Sequence, residues 1–140
     1  MKHKIMMLLA ILFSFTATAM AQNSIDDLVN RYSSFNSSKY TSAVERNPKT
    51  RAIVKVVKIL EMKYPNNIQK IIDSFKEEAR HGDFSERKAD NDLIMTLTQR
   101  GTTQNRIYML KAENYYRDNG HPYPYKYYSN CSVTIIVKYK

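Results

Sequence analysis

Asn47-Pro48-Lys49-Thr50-Arg51-Ala52-Ile53-Val54-Lys55-Val56-Val57-Lys58-Ile59-Leu60 is the stretch whose reading decides the fold. With a helical period, Ile53, Val56, Val57 and Leu60 would line one face; with a period of two, the same run is a strand. Two features favour the strand. β-Branched side chains are dense from Ile53 to Ile59, and they pack well on a pleated surface. Pro48 stands second in a four-residue turn, where its fixed φ is already correct, and Asn47 precedes it. The turn predicts a hairpin joining residues 40–46 to residues 51–60, and Tyr64-Pro65 ends the second arm.

Outward from this hairpin the periods alternate. Before it, Ile25, Leu28, Val29 and Tyr32 follow the i, i+3, i+4, i+7 spacing of an amphipathic helix over residues 25–34, with Ser24 as its cap and Asp26 and Asp27 suited to its positive end. After it, Ile68, Ile71, Ile72, Phe75 and Ala79 form a second stripe, with Asn66 or Asn67 as cap and Gly82 as a left-handed stop. From Asp83 the period is two. Strands are expected over residues 84–88, 93–100, 106–111 and 132–139, separated by polar turns. Short connections favour an antiparallel meander, so the expected class is α+β: two amphipathic helices packed on an antiparallel sheet of about five to six strands.

The first 21 residues have the layout of a secretory signal peptide. Met1-Lys2-His3-Lys4 is a basic head, residues 5–15 form an apolar run, and Ala19-Met20-Ala21 is a small-residue exit, which sets cleavage between Ala21 and Gln22. The apolar run is about half of the ~20 residues that a spanning helix needs. The expected organisation is therefore a leader, residues 1–21, and one α+β domain, residues 22–140, exported to the periplasm or beyond, with no later membrane span. Gln22 stands where a lipid-bearing cysteine would have to be, which argues against a lipid anchor. Cys131 is the only cysteine, so no internal disulfide can form, and its phase with Val133, Ile135 and Val137 points it at the core. The formal charge of +9 favours acidic partners without choosing among glycans, lipids and proteins. No zinc-finger spacing or RNA-binding signature accompanies it, so nucleic acid is not an expected partner.

The leader ending Ala-Gln, residues 25–32, Ala43-Val44-Glu45-Arg46-Asn47-Pro48-Lys49-Thr50-Arg51 with Val56-Val57-Lys58 after it, Arg106-Ile107-Tyr108, and the terminal Ser132-Val133-Thr134-Ile135-Ile136-Val137-Lys138-Tyr139-Lys140 are similar to small exported domains of unknown function from Bacteroidetes-type Gram-negative bacteria. The resemblance implies an envelope or extracellular location and carries no activity with it. Residues 114–130 depart from the pattern, being longer and richer in tyrosine.

That departure holds the first candidate site. Tyr115, Tyr116, Tyr123, Tyr125, Tyr127 and Tyr128 are six of the eleven tyrosines, set among Pro122, Pro124 and Gly120. Tyrosine joins a large apolar ring to a polar tip at low entropic cost, which suits protein or sugar surfaces; the competing reading is an excursion whose rings cover the sheet. The second candidate is a basic patch, Arg46, Lys49, Arg51, Lys55 and Lys58, either a surface for an anionic partner or a lysine-guarded sheet edge. His81 with Asp83 and Glu86 is the nearest approach to an acid–base cluster, but nothing in the spacing converges the three. Asp90-Asn91-Asp92 lacks the glycine and distal glutamate of a calcium loop, and the paired carboxylates Asp26-Asp27 and Glu77-Glu78 have routine helix roles. No catalytic, metal or cofactor site is expected. The leading expectation is a non-catalytic exported module that binds a protein or glycan. A structural, self-assembling envelope protein is the alternative, with a small hydrolase behind it and the oligomeric state left open.

Overall fold

The computed structural model describes residues 24–89, 91–114, 116–118 and 125–140, with 116–118 and 125–127 described as backbone. Helix α1, Ile25–Tyr32, buries Ile25, Leu28, Val29 and Tyr32, the stripe its sequence spacing demands. Ser24 has the extended backbone of a cap, yet its hydroxyl caps nothing. The Ile25 N–H is instead taken by the Glu78 carboxylate of the second helix. Two serines close the other end, Ser33 Oγ donating to the Asn30 carbonyl (2.7 Å) and Ser34 Oγ to that of Arg31 (2.9 Å).

Strands β1, Lys39–Arg46, and β2, Ile53–Met62, form the expected hairpin. Asn47 organises its loop: Oδ1 accepts the N–H of Lys49 (2.8 Å) and of Thr50 (3.3 Å), so the side chain mimics a backbone turn. Arg51 sits at φ 62, a left-handed residue that reverses the chain into β2. The helical alternative for residues 51–60 is excluded.

Helix α2, Pro65–Glu78, corrects two expectations. Pro65 does not terminate a strand so much as begin a helix: it occupies the first helical turn, where its missing N–H costs nothing, and Tyr64 rather than an asparagine stands at the cap. Gly82, which follows a 3₁₀ turn at Ala79–His81, is extended (φ −178) and not left-handed. Its reason is space, because a Cβ there would lie 2.5 Å from the Thr98 carbonyl oxygen.

The remaining strands are β3, Asp83–Ala89; β4, Asp92–Arg100; β5, Gln104–Glu113; β6, Tyr116–Asp118; β7, Tyr125–Tyr127; and β8, Asn130–Tyr139. Six of them form one antiparallel sheet in the order β1-β2-β8-β5-β4-β3, while β6 and β7 pair separately. The class is α+β, with two helices and a six-stranded sheet. The expected meander is present as β3-β4-β5-β8, and its last strand, β8, joins it to the hairpin by pairing with β2 on its other side. Helix α2 carries the chain from β2 to the far edge, β3 to β5 return toward it, and β8 fills the remaining slot.

Alternation along each strand gives the sheet two faces. One carries Leu60, Met62, Leu93, Met95, Leu97, Tyr108, Leu110, Cys131, Val133 and Ile135, which join Ile68, Ile71, Ile72 and Phe75 of α2 and the α1 stripe in a single core. The Tyr108 and Phe75 rings meet in a T-shaped contact, centroids 6.4 Å apart. No described helix covers the opposite face.

Candidate functional site

Two of the clefts lined by described residues differ in what their side chains leave free. The larger, about 580 Å³, lies where the β6–β7 ribbon leaves the sheet. Its walls come from the α1–β1 connector (Asn36, Ser37, Ser38), from the β1 and β2 ends (Lys39, Glu61, Lys63), and from the strands on either side of the ribbon (Lys111 and Glu113 of β5, Asn130 and Ser132 of β8); Met62 and Cys131 also line it. Local chemistry sets the ribbon root. Asn114 adopts φ 59, a conformation asparagine tolerates better than most residues, and turns the chain out of β5. Ser129 closes the root, its N–H donating to the Glu113 carbonyl (3.2 Å) and its Oγ to that of Asn114 (3.4 Å). Lys111 pairs with Glu113 at 3.4 Å, and Lys39 stands opposite Glu61 across β1 and β2. Lys63 makes no ion pair among the described residues.

The smaller cleft, about 440 Å³, lies at the start of α1. Asp26 Oδ2 accepts from Arg106 (2.8 Å) and from the Tyr108 hydroxyl (2.8 Å). In the amide orientation that satisfies both groups, Gln104 also accepts from the Arg106 guanidinium at 2.9 and 3.0 Å. Burial, with the neighbouring Asp26 charge adding to it, pushes Tyr108 well above the ordinary phenol range, so it stays protonated and donates. Burial first, then Asp26, raises the Glu78 carboxyl, while its bond from Ile25 N–H pulls the other way. Asp26, Gln104, Arg106 and Tyr108 in this cleft therefore already have protein partners. It is a polar joint tying α1 to the sheet and to α2.

The candidate residues are dispersed unevenly. Tyr115 and Tyr123 lie outside the described residues, as do Ala21 and Gln22 of the leader, His121 and Asp90. Tyr116, Tyr125 and Tyr127 are strand residues of the ribbon, whose register sets Tyr116 opposite Tyr127 and Asp118 opposite Tyr125. The stretch read as a loop thus contains a two-stranded ribbon, because the tyrosines have the strand preference of aromatic residues. Tyr128 is half-buried against the core, and burial raises its hydroxyl, with Glu86 and Asp92 adding to the shift. Arg46, Lys49 and Arg51 are exposed at the hairpin tip, but Lys55 and Lys58 are not one patch with each other: Lys58 lies opposite Ile135 on the helix-covered face and Lys55 opposite Lys138 on the other. Asp83 pairs with Arg100 (3.7 Å) and lies on the opposite face of β3 from Glu86, so His81, Asp83 and Glu86 do not converge. Among the described residues no three His, Cys, Asp or Glu side chains form a group able to hold a metal ion. Cys131 is buried, and burial pushes its thiol up to about 12, which removes the reactive thiolate. No described helix is long and apolar enough to cross a membrane.

The Asp26–Arg106–Tyr108 joint was not legible beforehand. Asp26 reads locally as a helix-dipole residue, and its partners lie 80 and 82 residues away. Comparison with protein-family models, with curated proteins and with solved structures gives no match.

Proposed function

We propose that the protein is a non-catalytic binding module, exported by its leader to the periplasm or medium in the manner of the Bacteroidetes-type domains it resembles, and that it takes a protein or glycan partner where the tyrosine ribbon meets the large cleft. One observation carries this reading: Glu113 and Asn130, which flank the ribbon in sequence, are also walls of that cleft. A partner reaching the tyrosine-rich segment therefore also reaches a concave polar surface built on the ends of sheet strands. Aromatic groups for ring or side-chain faces, beside amide, hydroxyl and charged groups for hydrogen bonds, are the usual composition of a recognition site.

The test is capture from the producing cell's own envelope and medium, comparing the native domain with Tyr123→Ala/Tyr125→Ala/Tyr127→Ala. Loss of a captured partner with unfolding still cooperative supports the reading. A variant that no longer unfolds cooperatively assigns the tyrosines to packing, and absence of a partner for either protein sinks the proposal. The self-assembly alternative draws on β1 and β3, the two edge strands of the sheet among the described residues. The buried, weakly acidic Cys131 gives that alternative no disulfide to use, so size-exclusion elution should not respond to reductant.

A further inference from the structure

Cross-strand register on the helix-free face lines up residues that are far apart in the chain. Lys55 of β2 stands directly opposite Lys138 of β8, Lys138 opposite Asn105 of β5, and Asn105 opposite Arg100 of β4. The next row inward is Val57, Ile136, Ile107 and Thr98. A row with three cations thus borders a largely aliphatic one, and both cross four strands, about 14 Å at the usual spacing.

The cationic row needs an explanation that edge protection cannot supply. Lysines guard sheets when they sit on edge strands, but β2 and β8 are interior strands. Like charges directly opposite one another destabilise a sheet. Lys55 and Lys138 make no ion pair among the described residues; Glu45 faces Lys55 from β1, and Asp83 reaches only Arg100. Lys140 is drawn to the same end, its Nζ donating to the Gly101 carbonyl at 2.8 Å.

We propose that this face binds a linear acidic polysaccharide laid across the strands, its carboxylates along Lys55, Lys138 and Arg100 and the C–H faces of its rings on Val57, Ile136 and Ile107. Ile59 and Met109 on this face are only 36 % and 37 % exposed, so neither projects as a bilayer anchor would. A second copy is disfavoured by charge. Stacking two such faces about a two-fold axis sets the cationic row either on itself or on the opposite margin, where Lys39 stands against Glu61 and Lys111 is paired with Glu113, leaving no net negative charge to meet it. A sugar chain satisfies both rows at once, with charge for the lysines and apolar ring faces for the aliphatics. The surface lies at the other end of this face from the ribbon cleft, about six residues or ~20 Å along β2, so the two proposals stand or fall separately.

The experiment is titration of the purified protein with polygalacturonate, neutral dextran and phosphatidylglycerol vesicles at low and raised salt. Binding to polygalacturonate alone, weakening with salt, is expected. Lys55→Ser/Lys138→Ser should reduce it about tenfold or more, and Ile107→Ser should also weaken it, while Lys49→Ser/Arg51→Ser, equal in charge removed but at the hairpin tip, should stay within about threefold. Melting temperatures should be no lower for Lys55→Ser/Lys138→Ser, which relieves a repulsion. Equal losses from the two double variants, no binding of polygalacturonate, or binding of vesicles in its place would overturn the proposal.

Discussion

The two faces of this sheet are made by the same strands and both are aliphatic at their centres, yet they do different work. On one, Leu60, Met95, Leu97, Leu110, Val133 and Ile135 disappear under two helices. On the other, Val57, Ile59, Ile107, Met109 and Ile136 remain partly open, interleaved with Thr96, Thr98 and Thr134 and bordered by charge. Apolar alternation shows that a strand has two sides; it does not show which side a helix will cover. That choice follows from the helix stripes, because α1 and α2 have apolar surface enough for one face only.

Three measurements test the contrast. The largest effect belongs to the covered face: Phe75→Ala, which empties a fully buried site against Tyr108, should cost about 3–5 kcal/mol in denaturant unfolding, whereas Met109→Ala on the open face should cost under about 1 kcal/mol. Comparable losses would mean that the open face is also packed in solution. Next comes the joint at the start of α1. Asp26→Ala leaves the buried Tyr108 hydroxyl without its acceptor and should cost about 1–3 kcal/mol, and adding Tyr108→Phe should recover part of that loss.

The smallest effect is a pH dependence from Glu78. Its folded carboxyl titrates above the ordinary glutamate value, so the stability it contributes is fully present below pH ~4.3 and is lost as pH rises through the folded pKa. Glu78→Gln, whose amide oxygen can still accept from Ile25 N–H, should flatten that decline. Because Glu78 is half-exposed and water screens it, the gain near neutrality should stay below about 1 kcal/mol. A steeper decline of melting temperature in the variant would reverse the assignment.

Much of the secondary structure could be read from the chain because its signals are local. β-Branched density and the Asn47-Pro48 turn chose a strand for residues 53–62, and the stripe from Ile68 to Phe75 chose a helix. Cys131 was correctly expected in the core from its phase with Val133 and Ile135. Misreadings came where one residue type has two uses. Pro65 can stop a strand or start a helix, and Gly82 can supply a left-handed turn or make room for a neighbouring carbonyl; local sequence does not separate these. The tyrosine stretch was singled out by composition, but its ribbon pairing depends on residues meeting across a turn.

Local sequence thus specifies the list of parts: two amphipathic helices, a hairpin and several strands, each set within one or two turns of chain by side-chain period and turn chemistry. Only the tertiary structure decided their arrangement. Inserting β8 between β2 and β5 sets Lys138 against Lys55, brings Arg106 and Tyr108 to Asp26 under α1, and opens a cleft beside the tyrosine ribbon. None of these juxtapositions has a local signature, because each depends on which strand edges are left free once the helices have claimed one face of the sheet.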